Sequence, residues 1–277
     1  MIDLHCHTKF GRHAKGDIID YIDSASQNKI NVLGFSEHLF LPKGFYDPAG
    51  DSAMLPKSLP KYLNDIKEAK RKVNSQVSIL TAFEVDFIPE FRNEFVKNLA
   101  GLKVDYLIGS VHFINGWNFD FSEETFKQGL EERYNGDARR AVYDYLNLVK
   151  EVVVSGLFDV VGHLDLIKKF NFNRSYFDDS ESYYKNTIKE ILDEIKAKDL
   201  VVEINTAGLD KKVKEQYPSE WIIRECCKRD IPITMGSDAH KPAEVGRHFA
   251  EMTRMLKRVG YKRTTCFQGR KRLTRPL

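Results

Sequence analysis

Cysteine is scarce in this chain: four residues among 277, at positions 6, 226, 227 and 266, with no Cys-x-x-Cys spacing. That excludes a small disulfide-stapled scaffold and a thiolate zinc ribbon, and it points to a reduced protein with free thiols. No apolar run approaches the ~20 residues a bilayer-spanning helix needs, and no signal-like stretch precedes the first strand-like segment. A cytoplasmic protein without membrane contact is expected. Neither sign of charge dominates, with 43 basic against 40 acidic residues and a net charge of +3. This argues against a polybasic nucleic-acid binder while leaving room for a local positive patch facing a phosphate. An aromatic–basic stripe for long single strands is missing. So is a Walker-type glycine loop, which makes nucleotide-driven transfer a poor fit. Low-complexity linkers and tandem repeats are absent too, so residues 1–277 read as one domain; the sequence assigns no oligomeric state. At 42% hydrophobic the chain is long enough to bury a substantial core.

What is present is an alternation of helix-like and strand-like patterns. Helical spacing of apolar residues predicts helices over Asp17–Lys29 (Asp17 as cap), Leu59–Val73, Glu90–Leu99, Asp137–Ser155, Tyr183–Lys198, Pro218–Arg229 and Pro242–Val259. Between them lie short apolar runs read as strands: Ile2–His7, Asn31–Ser36, Val77–Phe83, Val104–Val111, Phe158–Gly162, Leu200–Asn205 and Pro232–Gly236, with a last strand expected over Thr264–Phe267. Pro42 to Pro60 is a long loop, a common place for function in a compact domain. Strands separated by helices imply parallel pairing and right-handed crossovers.

The first thirteen residues hold three of the eight histidines, and His5 and His7, at i and i+2 on a strand, project together. Cys6 between them should point into the core. His13 follows in a glycine-bearing loop that can fold back on the same point. His38, Glu84, His112, His163, and Asp238 with His240 each follow a different predicted strand. In an α/β barrel those ends gather on one face, where active sites sit. The sequence therefore predicts one polymetal site with nine candidate ligands: His5, His7, His13, His38, Glu84, His112, His163, Asp238 and His240. A single catalytic zinc takes about three protein ligands, so nine suggest several ions. Two carboxylates allow bridging, and bridged ions suit hydrolytic displacement at phosphorus, with a bridging hydroxide as nucleophile. Nitrogen and oxygen donors without a thiolate fit Zn, Mn or Fe.

Other residues admit plainer readings. Asp3 suits a partner behind a ligand histidine, and Glu37 and Asp165 stand beside ligands as supports, substrate contacts or proton donors. His248, expected mid-helix, reads as structural. Cys226 and Cys227 read as helix packing. Lys168, Lys169 and the tail Arg270–Arg275 read as solvated charge.

In order, Asp3-Leu4-His5-Cys6-His7, Glu37-His38, Glu84, Ser110-Val111-His112, Gly162-His163 and Gly236-Ser237-Asp238-Ala239-His240 resemble the motifs of the polymerase-and-histidinol-phosphatase (PHP) superfamily. Phe35-Ser36-Glu37-His38 with Leu41-Pro42, Asp51-Ser52-Ala53-Met54, Glu84-Val85-Asp86-Phe87, Asn205-Thr206-Ala207-Gly208-Leu209 and Tyr217-Pro218-Ser219 look like its histidinol-phosphatase branch, and the likeness spans essentially the whole chain. It implies a distorted (β/α)7 TIM-like barrel, a site of three divalent ions and hydrolysis of L-histidinol phosphate to L-histidinol and phosphate, a step of histidine biosynthesis. By resemblance, His5, His7, Glu84 and Asp238 hold one ion; Glu84, His112 and His163 a second; and His13, His38 and His240 a third. Glu84 and Asp238 are then catalytic carboxylates, and Asp165 or a nearby histidine is expected to protonate the departing alkoxide. In relatives an arginine often follows the Asn205–Leu209 motif, where this chain has Asp210; a carboxylate there should turn away from phosphate, leaving Lys211 or Arg174 to supply the positive charge. Asp17, Glu37 or Asp47 is expected at the substrate ammonium, and Phe40 or Phe45 at its imidazole. Two alternatives stand beside this reading: a related phosphoesterase acting on another small ester or a nucleic-acid end, and a metal-stabilised binding module without catalysis.

Overall fold

The computed structural model describes residues 1–72 and 77–277, so the predicted end of the second helix at Val73 lies outside the described residues. Seven parallel strands form one sheet in the order β1 (Ile2–Cys6), β2 (Val32–His38), β3 (Ser78–Asp86), β4 (Tyr106–Ser110), β7 (Val160–Val161), β8 (Val201–Asn205) and β9 (Ile233–Gly236). Between β4 and β7 the chain makes a small antiparallel hairpin, β5 (Phe113–Ile114) and β6 (Trp117–Asn118). The main sheet curls until its outer strands meet: Cys6 bridges Ala239 in parallel, with the His7 amide donating to the Ala239 carbonyl at 2.9 Å. A nearly closed, distorted barrel results, as the alternating pattern required.

Helices α1 (Ile18–Gln27), α2 (Leu59–Lys72), α3 (Arg92–Leu99), α4 (Glu123–Tyr134), α5 (Ala138–Val154), α6 (Ser182–Ala197), α7 (Glu220–Lys228) and α8 (Phe249–Val259) flank the strands. In α5 the buried residues Ala138, Ala141, Val142, Tyr145, Leu146, Val149, Val152 and Val153 recur at helical spacing, so one stripe faces the barrel. α4 has no counterpart among the helices read from the sequence; Ser122 caps it by accepting the Thr125 amide at 3.1 Å. The expected helix over Pro242–Val259 is interrupted. Pro242–Glu244 forms one tight turn, and Gly246 (φ +70°) and His248 (φ +60°) break the path before α8 begins. His248 is thus an N-cap residue, not a mid-helix one.

The barrel interior is filled from one end by side chains of Ile2, Leu4, Val32, Leu80, Ala82, Tyr106, Ile108, Val160 and Val201. Packing there is close enough to require Gly34: a Cβ on it would lie 1.8 Å from the Tyr106 hydroxyl, which donates to the Leu4 carbonyl at 2.6 Å. The expected last strand becomes a hairpin, β10 (Arg263–Gln268) paired with β11 (Lys271–Pro276), and it plugs the end of the barrel opposite the histidines. Cys266 and Phe267 enter the interior cluster, with Phe267 stacked on Tyr106 at 5.4 Å between centroids. The basic tail is therefore partly structural: Arg270 pairs with Asp159 at 2.9 Å and Arg272 with Asp199. The remaining large cluster lies between strands and helices, and Cys6 and Cys226 are buried in it as expected.

Candidate metal centre

Strand register gathers the site. His38 on β2 lies directly opposite Glu84 on β3, and Asp86 lies opposite Ser110 of β4, two residues before His112. On the far side Asn205 of β8 faces Gly236 of β9, two residues before Asp238. Gly236 allows β9 to approach: a Cβ there would fall 2.6 Å from that of His5 and 2.2 Å from a Glu203 oxygen.

Glu84, 1% exposed, stands at the centre. Its Oε2 is 3.2 Å from His5 Nε2 and 3.5 Å from His7 Nε2, while Oε1 is 2.9 Å from His163 Nε2 and 3.7 Å from His112 Nε2. His38 Nδ1 also lies 3.2 Å from Oε2, so one carboxylate faces five imidazoles, three with one oxygen and two with the other. Asp238 Oδ1 joins the His5–His7 pair at 3.2 Å from His7 Nε2. His13 Nε2 meets His240 Nε2 at 3.1 Å, and His240 also groups with His7 and His38. Among the described residues, four overlapping sets bring their donor atoms within 4.8 Å of one another: His5–His7–Glu84, Glu84–His112–His163, His7–His38–His240 and His38–Asp86–His112. All nine ligand candidates read from the sequence converge here, together with Asp86, which was not among them.

These side chains fit cations for a specific reason. Three imidazole pairs meet Nε2 to Nε2: His5 with His7 at 3.0 Å, His13 with His240 at 3.1 Å and His112 with His163 at 3.1 Å. Most of these rings already have Nδ1 engaged by an acceptor: Glu203 for His5, Glu37 for His7, the Asp51 carbonyl for His13, Asp86 for His112 and the Asp238 carbonyl for His240. An Nδ1 that donates leaves Nε2 of the neutral ring as a lone pair. Lone pairs aimed at each other repel unless a positive charge lies between them. The buried polar atoms His38 Nδ1, Asp86 Oδ2 and His163 Nδ1 also have no hydrogen-bond partner.

The electrostatics agree. Burial disfavours charge on His7, yet the Asp238 and Glu37 carboxylates push it up to about 9. Burial likewise opposes charge on His112, yet Asp86 and Glu84 take it to about 10. Surplus negative potential recruits protons where a metal would otherwise supply positive charge, so metal binding must displace protons. His13 and His240 are shifted down, by burial first and then by neighbouring histidines, which keeps them neutral donors.

Behind the ligands stand carboxylates that aim them. Glu203, on the one barrel strand that contributes no ligand, holds His5 Nδ1 at 2.5 Å and accepts the His163 amide at 2.8 Å. Replacing Glu203 with Gln is expected to lower metal affinity by roughly 10- to 100-fold, which competitive chelator titration would measure; unchanged affinity would remove this role. Glu37 is fully buried, with His7 Nδ1 at 3.3 Å, the Thr8 amide at 2.7 Å and the Thr8 hydroxyl at 2.6 Å. Burial raises its pKa, but His7 and Thr8 win and hold it below the usual carboxylate range. Asp3 braces loops, accepting the Ser237 and Gly246 amides at 2.9 Å each, and touches no ligand imidazole.

A cavity of about 390 Å³ opens above the centre. His13, His38, Glu84, His112, His163, Asp238 and His240 line it; His5 and His7 lie buried beneath. Its basic side chains are Lys169, Lys211, Lys241 and Arg247. Of the expected substrate contacts only Lys211 is on this wall. Asp17 is exposed and bound to Lys9 in a separate groove. Arg174 points to solvent, engaged by Asp178 at 3.1 Å and Asp179 at 2.7 Å. Glu37 has no exposed surface to offer a substrate. Asp165, expected as proton donor, is sealed off between Lys168 Nζ at 3.0 Å and the Ser219 amide at 2.9 Å. Asp47 is spent on its own loop, accepting the Ser52 hydroxyl at 2.7 Å, and Phe45 packs on Phe113. Neither they nor Phe40 line the cavity; the aromatics on its wall are Phe121, 62% exposed, and the buried Tyr217. Asp210 turns away from the cavity, as expected, onto Arg247 and His248. Lys168, read as solvated, is 2% exposed.

Known proteins resemble this chain in both sequence and fold. The model of the PHP domain matches residues 3–207, and that of a PHP-associated segment matches 222–257. A Deinococcus radiodurans protein named "probable histidinol-phosphatase" is 35% identical over 98% of both chains. The Bacillus subtilis histidinol-phosphatase is 32% identical over 88% of this chain and 95% of its own. Among solved structures, histidinol phosphate phosphatase from Lactococcus lactis, complexed with zinc, L-histidinol and phosphate, superposes with a TM-score of 0.78 at 22% identity, covering 98% of each chain. A Listeria monocytogenes crystal structure superposes with a TM-score of 0.85 at 26% identity over 91% of this chain and 99% of that one. With about three quarters of its length matched by the family model, the chain belongs to the PHP domain family.

Proposed function

We propose that this protein hydrolyses L-histidinol phosphate to L-histidinol and phosphate within histidine biosynthesis, as a cytoplasmic single-domain enzyme loaded with three divalent ions, Zn, Mn or Fe. The observation that carries the reading is the set of paired imidazole Nε2 atoms converging on Glu84 below a cavity with a basic wall. His5, His7, Glu84 and Asp238 would hold one ion, Glu84, His112 and His163 a second, and His13, His38 and His240 a third; Asp86 would orient His112. Bound ions of this kind neutralise phosphoryl oxygens and activate water. The chain's own residues do the rest. Lys211 Nζ has no carboxylate partner among the described residues, and burial, then Lys169 and Arg247, lower its pKa. It is a cation held ready for the phosphate dianion. Lys169 is less free, since Asp120 engages it at 2.9 Å. Of the wall carboxylates, Asp120 is held by Lys169 and Glu244 by the His240 amide, which leaves Asp51 for the substrate ammonium, and Phe121 can cover its imidazole. Asp165 is too enclosed to protonate the leaving oxygen.

Lys211→Met is expected to raise KM for the phosphate ester about tenfold or more, the scale of one charge-assisted hydrogen bond, with metal content unchanged. Steady-state kinetics beside elemental analysis would show this; an unaltered KM would remove Lys211 from phosphate binding. The substrate assignment is tested by comparing kcat/KM for L-histidinol phosphate with that for a panel of small phosphate monoesters. Preference for histidinol phosphate supports it, and a higher value for another ester reassigns the substrate while keeping the chemistry.

A further inference from the structure

We infer that Arg247, anchored by Asp210, is a positioning residue that clamps the loop presenting Asp238 and His240 to the metals; the inference rests on the metal-centre reading above. Asp238 needs help to stay where it is. Its backbone lies in the left-handed region at φ +51°, uncommon for residues other than glycine although aspartate tolerates it better than most. The surroundings hold it from two sides. Asp3 accepts the Ser237 amide at 2.9 Å and so holds the loop by its N–H. Arg247 holds it by its carbonyls: Nε donates to the Ser237 oxygen at 2.9 Å and Nη2 to the Asp238 oxygen at 3.0 Å. The third guanidinium nitrogen, Nη1, reaches Asp210 Oδ2 at 3.3 Å, and Glu244 Oε1 lies 3.7 Å away. A guanidinium is planar with its donors at fixed angles, so three acceptors define its position.

The anchor is itself fixed. Asp210 also takes His248 Nε2 at 2.9 Å, and His248 occupies the left-handed turn immediately after Arg247. The Arg247 carbonyl receives the Thr206 hydroxyl at 2.9 Å, which ties the segment to the end of β8, and the preceding Gly246 amide donates to Asp3 at 2.9 Å. Asp3 therefore joins both ends of the clamp. The carboxylate at 210 is not wasted charge beside a phosphate site; it restrains the arginine that restrains a ligand.

The test uses the full chain and zinc alone. Arg247→Met keeps bulk and removes every donor, Arg247→Lys keeps one charge, and Asp210→Asn keeps the anchor's shape without its charge. Zinc affinity is read by competition with a chromophoric chelator, and the melting temperature of the metal-stripped proteins is read beside it. The expected result is zinc affinity lowered roughly 10- to 100-fold in Arg247→Met, less in Arg247→Lys and Asp210→Asn, with apoprotein melting close to that of the wild type. A general structural role would instead lower apoprotein melting and leave zinc affinity of the folded protein alone, which overturns the inference. If Arg247→Met does not fold, wild-type zinc affinity in both Arg247→Lys and Asp210→Asn overturns it equally. A wild-type chain that binds no zinc overturns the metal centre along with the clamp; one that binds zinc like its variants overturns the clamp alone.

Discussion

Glu84→Gln will cost the protein its metals and its turnover together. The two Glu84 oxygens face different imidazoles, Oε2 toward His5, His7 and His38 and Oε1 toward His163 and His112. Glutamine keeps one oxygen, removes the charge and turns toward the other imidazoles an NH2 group that has no lone pair for a cation. No rotation of the amide lets both ends hold an ion. Burial alone would raise the Glu84 pKa, but the surrounding histidines drive it well below the usual carboxylate range, so it is the charged form that the site is built around. Metal that no longer binds takes its share of transition-state stabilisation with it, and a turnover loss on the order of 1,000-fold, about 4 kcal/mol, is expected. Elemental analysis and phosphate-release kinetics on the same preparation would check it. A Glu84→Gln protein with full metal and near-normal turnover would sink the arrangement described for the centre.

The second large effect is on stability and lies behind the cavity. Lys168 Nζ donates to Glu215 Oε2 at 2.7 Å, the Gln216 carbonyl at 2.9 Å and Ser219 Oγ at 2.6 Å, and pairs with Asp165 Oδ2 at 3.0 Å. Lys168→Met would leave Asp165, 0% exposed, as a buried carboxylate without its cation. A loss of about 3–5 kcal/mol is expected, which lowers Tm by about 10 °C for a chain of this size. The deficit should depend on pH. Burial already raises the Asp165 pKa despite Lys168, and without Lys168 it rises further. A carboxylate whose folded pKa is raised stabilises the fold at low pH and loses that contribution as pH climbs through the folded value. The variant should therefore be closest to wild type in acid and fall behind toward neutral pH. Thermal melts of both proteins across that range would show it, and a deficit independent of pH would mean that Asp165 is not the group left exposed to the loss. Lys168→Met with Asp165→Asn should recover much of the stability.

The ligands were legible because they obey a local rule. All the candidates but His13, which lies in a loop, sit at or just past the end of an apolar run, and parallel β/α connectivity brings such ends to one face. The barrel was legible for the same reason, since strand and helix periods alternate cleanly. The supporting carboxylates carried a signal that went unread. Glu203 is a charge inside the otherwise apolar Val201–Asn205 strand, and Asp86 stands at i+2 from Glu84, the same spacing that singled out His5 and His7. α4 lacked a strong stripe: Ser122 and the acidic first turn marked its start, but the apolar residues are few.

Substrate contacts were not legible, because a charge near a ligand in sequence can be spent elsewhere in space. Arg174 is consumed by Asp178 and Asp179, four and five residues on, and Asp17 by Lys9. Lys168 reads as surface charge until the segment at 215–219, about fifty residues later, closes over it. Loop residues such as Phe121 and Arg247 reach the cavity only through tertiary packing, which periodicity does not encode.

The most direct test of the account is phosphate release from L-histidinol phosphate by the purified protein after metal stripping and after reloading with Zn, Mn or Fe. The prediction is no release from the stripped protein and turnover restored on reloading, with Glu84→Gln inactive under both conditions. Equal release with and without metal, or none from a fully loaded protein, would contradict it.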